Sequence, residues 1–254
     1  MVFNLLHLPS IDSTSSYLLS LIDAPEWTCV TADRQTAGRG RQNRNWFSPP
    51  GSGLYLSVLL RPTRPASGYP LISLAAAVSV AETLAELGLV TVDIKWPNDI
   101  LAGGRKISGI LIESSGLFTG SNQNDSPRVI VGIGVNLNQR SFPPELAATA
   151  TSLAAELDRE TSAELFRDRL LPRLHKWYQT WREGMAETII TRWLELSSYG
   201  YGREVMVSLD RETLTGHTCG LTPGGALLVR TAAGDIRTIF AGDVTMLRPI
   251  STFK

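Results

Sequence analysis

Short apolar runs and stretches of helical period alternate along most of the chain, and only short runs remain at its end. Met1–Leu8 opens strand-like, and the hydroxyl residues Ser13-Thr14-Ser15-Ser16 ahead of Tyr17, Leu18, Leu19 and Leu21 predict a capped helix. Thr28–Ala32 is a short β-branched run, Leu54–Leu60 reads as a buried strand, and Pro70–Leu87 reads as an Ala-rich buried helix. Val92–Trp96 is stopped by Pro97; Asp99–Leu101, a Gly103-Gly104 turn and Lys106–Glu113 then predict a hairpin. Arg128–Asn138 sets Gly132 and Gly134 among apolar residues, a strand that something approaches closely. Thr161 to Ser198 is mostly helical, with Leu165, Phe166, Leu170, Leu174, Trp177 and Trp181 at helical spacing. Beyond Arg203 come five short strands with Gly-rich turns: Val205–Leu209, Thr213–Leu221, Ala226–Arg230, Ile236–Phe240 and Val244–Leu247. The change of pattern at Tyr199-Gly200-Tyr201-Gly202 predicts two units, 1–199 and a small barrel over 200–254.

Composition narrows the function classes. The 254 residues are 43% apolar and 19% charged, which suits a folded core. Lys plus Arg balance Asp plus Glu at 24 each, which argues against a protein that coats nucleic acid. Cys29 and Cys219 have no ligand-like spacing, so neither a disulfide framework nor a cysteine zinc site is expected. Leu71–Leu87 is broken by Ser73, Ser79, Glu82 and Glu86 and is not expected to span a membrane. Met1–Ser10 has no Lys or Arg ahead of its apolar residues, so no secretory signal is read and the cytosol is the expected compartment.

Candidate chemistry sits in three stretches. Arg34, Arg39, Arg41 and Arg44 place four guanidinium groups in eleven residues, interleaved with Gly38 and Gly40 and closed by Trp46. Arginine forks match carboxylate and phosphate oxygens, and the glycines let backbone N–H groups turn toward an anion, so a loop wrapping an anionic ligand is expected over 34–46. No Gly-Lys-Ser/Thr follows, so it is not a P-loop. The second stretch is Lys95-Trp96-Pro97-Asn98-Asp99 with Lys106 and Gly109. Lys106 suits a point charge beside a growing phosphate charge. Asp99 is open to two readings, a ligand for Mg²⁺ or a turn cap. The third, Gly132-Ile133-Gly134-Val135-Asn136, offers no helix N-terminus for a dinucleotide fold, but Asn136 is a donor and acceptor for a base or ribose. His7, His175 and His217 lie in three unrelated regions. Ser57 and Ser108 lie in strands without a nucleophile elbow, and Trp177, Trp181 and Trp193 sit at helical spacing, so all of these read as structural.

These blocks, in this order, resemble the biotin–protein ligases: Ser13-Thr14, Gln35 with Gly38-Arg39-Gly40-Arg41 and Trp46, Lys95 to Asp99, Lys106-x-x-Gly109-Ile110-Leu111, and Gly132-x-Gly134-x-Asn136. Two positions depart from the family pattern: Asn43 stands where members often carry Gly, and Ser15 where many carry Asn. The resemblance implies an α+β fold related to class II aminoacyl-tRNA synthetases, a mixed and mainly antiparallel sheet backed by helices, followed by a small SH3-like barrel. It implies an ATP-dependent ligase that makes biotinyl-5'-AMP and passes biotin to a lysine of a biotin carboxyl carrier domain of acetyl-CoA carboxylase or another biotin-dependent carboxylase. Implied biotin contacts are Ser13, Thr14, Ser15, Gln35, Arg39, Gly40, Arg41, Lys106, Gly109 and Leu111. Implied nucleotide contacts are Trp46, Asn98, Gly109 and Asn136, with Lys106 and Arg41 catalytic and ATP, biotin and Mg²⁺ as the small molecules used. Some relatives carry an N-terminal winged helix-turn-helix and act as repressors; with the first block at Ser13, that role is not expected here, nor is a nucleic-acid or membrane partner, while a homodimer is left open. The alternatives are a lipoate–protein ligase, whose fatty chain fits the Arg39-Gly40-Arg41 block poorly, and a non-catalytic vitamin- or nucleotide-binding regulator.

Overall fold

The structure, a computed structural model, describes residues 2–115, 127–209 and 212–246. Seven strands, β1 (Asn4–Leu8), β2 (Thr28–Ala32), β3 (Gly53–Leu60), β4 (Val92–Lys95), β5 (Asp99–Ala102), β6 (Arg105–Ser115) and β7 (Arg128–Asn136), lie in the order β1-β2-β3-β7-β6-β5-β4. β1 and β2 are parallel, connected through helix α1 (Thr14–Ser20), and the other neighbours are antiparallel. This is the mixed, mainly antiparallel sheet that the resemblance implies. The β5–β6 hairpin turns at Gly103-Gly104 with φ of 54° and 78°, a left-handed path that glycine adopts without a Cβ penalty.

Period-2 alternation sorts the sheet into two faces. On one, Leu54, Leu56, Val58 and Leu60 of β3 and Val129, Val131, Ile133 and Val135 of β7 meet a helical layer. That layer is α2 (Tyr69–Glu86), α5 (Ala163–Arg182) and α6 (Ala186–Glu195). On the other face Val30, Leu59 and Ile130 pack under α1 through Leu18. α1 is capped at its start by Ser13 Oγ, which accepts the Ser16 N–H at 3.4 Å. At its end the Arg128 guanidinium donates to the carbonyls of Leu18, Leu19 and Leu21, adding partners where the helix's own ladder runs out. Beyond this patch the same face carries Ser57 and Gly132, under the first turn of α1, and then Gly134 and Gly109, under Trp46.

The stretch Ala66–Glu86 is long and apolar enough to cross a bilayer by length and composition, which corrects the reading that its polar interruptions exclude a span. Most of it is buried in the protein core, and Ser79, Glu82 and Thr83 are paired there. Ser79 donates to Ala75 O at 2.7 Å, Thr83 to Ser79 O at 2.8 Å, and Glu82 accepts from Trp177 and Arg192. The expected helical stretch after Thr161 divides between α5 and α6 at Gly184, where φ is 82°. Two short helices, α3 (Pro144–Ala147) and α4 (Leu153–Leu157), were not foreseen, being too short to show a period.

Five strands, β8 (Tyr201–Ser208), β9 (Thr213–Leu221), β10 (Leu227–Arg230), β11 (Ile236–Ile239) and β12 (Asp243–Met246), form a second, antiparallel sheet in the order β11-β10-β9-β8-β12. Val205, Val207, Leu227, Val229 and Val244 bury into the same apolar core as the helices. The buried Trp96 donates its indole N–H to Gly225 O at 3.0 Å, fastening the β4–β5 turn to this sheet. Leu247, expected to end the last strand, and the rest of the chain to 254 lie outside the described residues.

Candidate active site

Register lines the open face up in two rows. One runs Ser57, Gly132, Leu111; the other runs Tyr55, Gly134, Gly109, Asp99, Lys95. The glycines leave the floor low, and what approaches it is now identified. A Cβ on Gly132 would lie 2.9 Å from Ser15 Oγ, and one on Gly134 would lie 2.4 Å from Trp46 Cε2. A Cβ on Gly109 would meet both Trp46 at 3.0 Å and Lys106 Cε at 3.1 Å.

Along the first row sits a cluster of hydroxyl groups. Thr14 donates its backbone N–H to Gln35 Oε1 at 2.9 Å and its hydroxyl to the same oxygen at 3.1 Å. Thr14 Oγ1 lies 2.8 Å from Ser57 Oγ, and Ser15 Oγ lies 2.9 Å from it. Gln35 Nε2 donates to Ser48 Oγ at 3.0 Å, and Ser48 donates to Trp46 O at 3.0 Å. The predicted residues Ser13, Thr14, Ser15 and Gln35 therefore stand together, joined by Ser57 and Ser48.

The 34–46 segment folds as an irregular hairpin. Trp46 N–H donates to Gly38 O at 2.8 Å and Gly40 N–H to Arg44 O at 2.7 Å, around a 3-10 turn at Arg41–Asn43. The glycines were expected to turn their N–H groups toward an anion. Here Gly40 commits its N–H within the loop, and Gly38 is needed for space, because a Cβ would fall 2.7 Å from both Ser48 Oγ and Trp46 O. Arg39 pairs with Glu113 at 2.7 Å, Arg41 donates to Asn98 Oδ1 at 3.3 Å, and Arg44 pairs with Asp243 of β12. The loop is thus tied to β6, to the β4–β5 turn and to the second sheet. Tyr55, beneath it, donates to Pro49 O at 2.9 Å, and burial pushes its phenol above the ordinary value.

Lys106 reaches this face because of a bulge. Ile100 pairs with Ser108 but Leu101 with Lys106, leaving Ile107 as the extra residue. Strict alternation would put Lys106 on the side of Ser108, which is fully buried; the inserted residue re-aims it over Gly109. Its Nζ lies 2.6 Å from Asp99 Oδ1 and 5.4 Å from the centre of the Trp46 ring. Asp99 is a strand residue paired with Lys106. Among the described residues no three His, Cys, Asp or Glu side chains gather to hold a metal ion. Asn98 is held by Ile110, donating to its carbonyl at 2.6 Å while the Ile110 N–H donates to Asn98 O at 2.9 Å. Asn136 is buried at the far end, donating to Thr151 O at 3.0 Å and accepting from Gln139 at 3.3 Å. The Trp46 Nε1 atom is buried without a hydrogen-bond partner among the described residues.

The structure brings Lys106, Asp99, Gly109, Trp46, Arg41 and Asn98 into one group and Ser13, Thr14, Ser15, Gln35 and Leu111 into the adjoining one. Sequence reasoning set Ser57 aside and did not find Ser48 or Glu113. A lone serine in Leu-Tyr-Leu-Ser-Val-Leu-Leu was itself a signal, since a fully buried hydroxyl needs partners.

Residues 8–136 match the biotin/lipoate A/B protein ligase family, and residues 200–247 match the biotin protein ligase C terminal domain. The chain is 36% identical over 247 residues to the bifunctional ligase/repressor BirA of Bacillus spizizenii, covering 96% of this chain and 74% of that one. It is 32% identical to the biotin–[acetyl-CoA-carboxylase] ligase of Paracoccus denitrificans, covering 88% and 92%. Among solved structures, the biotin protein ligase from Aquifex aeolicus in complex with biotin and ATP superposes with a TM-score of 0.83 at 33% identity, over 96% of this chain and 99% of that one.

Proposed function

The chain belongs to the biotin/lipoate A/B protein ligase family, and we propose that it activates biotin with ATP and transfers it to a lysine of a biotin carboxyl carrier domain. In the first step a biotin carboxylate oxygen attacks the α-phosphorus of ATP, the bond to pyrophosphate breaks, and biotinyl-5'-AMP forms. In the second the carrier amine attacks the carbonyl of that mixed anhydride, AMP leaves, and an amide forms. Two anions meet in the first step, so the cation beside them decides the rate.

The observation that carries this reading is Lys106, aimed by the bulge over a glycine floor and held by Asp99 at 2.6 Å. A flexible ammonium paired with one carboxylate is poised to exchange it for ligand oxygens. Arg41 supports the anionic side from the loop. Arg39 is engaged by Glu113 at the rim, so its part is to fix the loop against β6. The Ser13, Thr14, Ser15 and Gln35 cluster with Leu111 receives the bicyclic ring. Trp46, Asn98, Gly109 and Asn136 line the nucleotide side. Asp99 is a single carboxylate with no second or third acidic, His or Cys side chain gathered beside it among the described residues, so Mg²⁺ belongs with ATP as part of the substrate.

Residues 1–199 form the ligand-binding catalytic unit, and the unit from 200 braces it through Trp96–Gly225 and Arg44–Asp243. The cytoplasm, where ATP and carboxylase carrier domains meet, is the place for this reaction. Incubation with biotin, ATP and a biotin carboxyl carrier domain tests the proposal: the carrier gains biotin with the parent chain and not with Lys106→Ala, and equal labelling by both would refute the role of Lys106.

A further inference from the structure

Three hydroxyl groups over the first row have three protons and three hydrogen-bond contacts, and only one arrangement makes every contact a bond. Gln35 Oε1 receives the Thr14 backbone N–H, which fixes that atom as the amide oxygen. It has no proton, so the 3.1 Å contact from Thr14 Oγ1 requires Thr14 to donate. Thr14 then accepts at its 2.8 Å contact, so Ser57 donates; Ser57 in turn accepts at its 2.9 Å contact, so Ser15 donates. The chain runs one way, from Ser15 through Ser57 and Thr14 to Gln35.

The consequence is chemical. Every proton in the chain is committed, so Thr14 and Ser15 face the site as acceptors only. Ser13 differs: its oxygen accepts from Ser16 N–H as the helix cap, and its own proton is committed to no partner among the described residues. One donor beside two acceptors complements a cyclic urea, with one carbonyl and two N–H groups. Ser57 is fully buried beneath Thr14 and Ser15.

We propose that Ser57 is a specificity-determining positioning residue, which holds Thr14 and Ser15 as acceptors and so makes the site select N–H donors. This rests on the biotin ligase reading and deepens it. Removing Ser57 Oγ frees the Ser15 proton, turning one acceptor into a donor. A merely structural role would weaken all ligands alike; the proposed role alters the preference between them.

The test uses the full chain with biotin and with an analogue in which ring oxygen replaces one ureido N–H, each assayed by ATP–pyrophosphate exchange. In Ser57→Ala, the ratio of kcat/KM for biotin over the analogue falls about tenfold, as expected for about 1.4 kcal/mol, while the KM for ATP is unchanged. Ser57→Cys, of similar size but a weak donor, gives a smaller fall in the same direction and decides the matter if the alanine variant does not fold. An unchanged ratio in a folded variant, with the parent chain active on biotin, overturns the role of Ser57 alone. A parent chain idle with biotin overturns the ligase reading and this inference together.

Discussion

Replacing Gly134 with alanine separates the two rows of the site. Its Cβ would stand 2.4 Å from Trp46 Cε2 and 2.5 Å from Trp46 Nε1. Carbon atoms settle at about 3.5–4.0 Å, so the indole must retreat by roughly 1.1–1.6 Å. The Trp46 backbone is tied by its amide N–H to Gly38 O at 2.8 Å and by its carbonyl to Ser48 at 3.0 Å, so the ring swings off the floor about its own torsions, away from Gly109 and Lys106. Overpacking of this kind costs about 1–3 kcal/mol, and a displacement near 1 Å in a reacting site lowers rate by about a hundredfold. Gly132→Ala is the contrast. Its Cβ meets Ser15 Oγ at 2.9 Å, the end of a short side chain that rotates away and gives up its bond to Ser57. The loss is about 0.5–1.5 kcal/mol, or roughly two- to twelvefold in biotin use. ATP–pyrophosphate exchange with each substrate varied separately, alongside thermal unfolding, reads both. Gly134→Ala should lose chiefly ATP-dependent kcat/KM and Gly132→Ala chiefly biotin affinity. If both variants shift the same substrate, or Gly134→Ala keeps the parent rate, the division of the floor into a ring side and a nucleotide side is wrong.

Three further outcomes follow from other contacts. Lys106→Ala should lower adenylate formation by about 10²–10³-fold with an unchanged unfolding midpoint, read by pyrophosphate release. Arg41→Gly loses the tie to Asn98 and a charged hydrogen bond worth about 1.5–3 kcal/mol, so stopped-flow release of preformed biotinyl-5'-AMP should quicken by roughly ten- to a hundredfold. His175 packs against Trp27 and contacts Gln179, and burial lowers its pKa from the ordinary 6.5. The unfolded chain therefore takes up a proton first, so stability should fall as pH drops below 6.5, and His175→Gln should flatten that slope in urea melts.

Much of the site was legible because its chemistry is concentrated in sequence. The Arg/Gly loop, the Lys95–Asp99 turn and the Gly-x-Gly strand each announced a ligand face, and the alternation around Gly132 and Gly134 predicted a close approach. Which atoms approach was not legible: Ser15 and Trp46 meet those glycines only through the β3–β7 and β6–β7 register, which no local pattern encodes. Lys106 was singled out for its charge, yet its direction depends on a one-residue bulge that local alternation would misplace. Ser57 looked inert because its partners lie 42 and 43 residues away. The glycines of the loop were assigned to anion binding when crowding by Ser48 and Trp46 explains Gly38. Helices α3 and α4 escaped because four and five residues are too few to show a period.

The central claim is that this glycine floor, with Lys106 above it and the hydroxyl chain beside it, joins biotin to the α-phosphate of ATP. Exchange of labelled pyrophosphate into ATP by the purified chain, with biotin or lipoate as the only acid present, tests it most directly. The account predicts exchange with biotin and none with lipoate. Exchange supported by lipoate, or none with either, would contradict it.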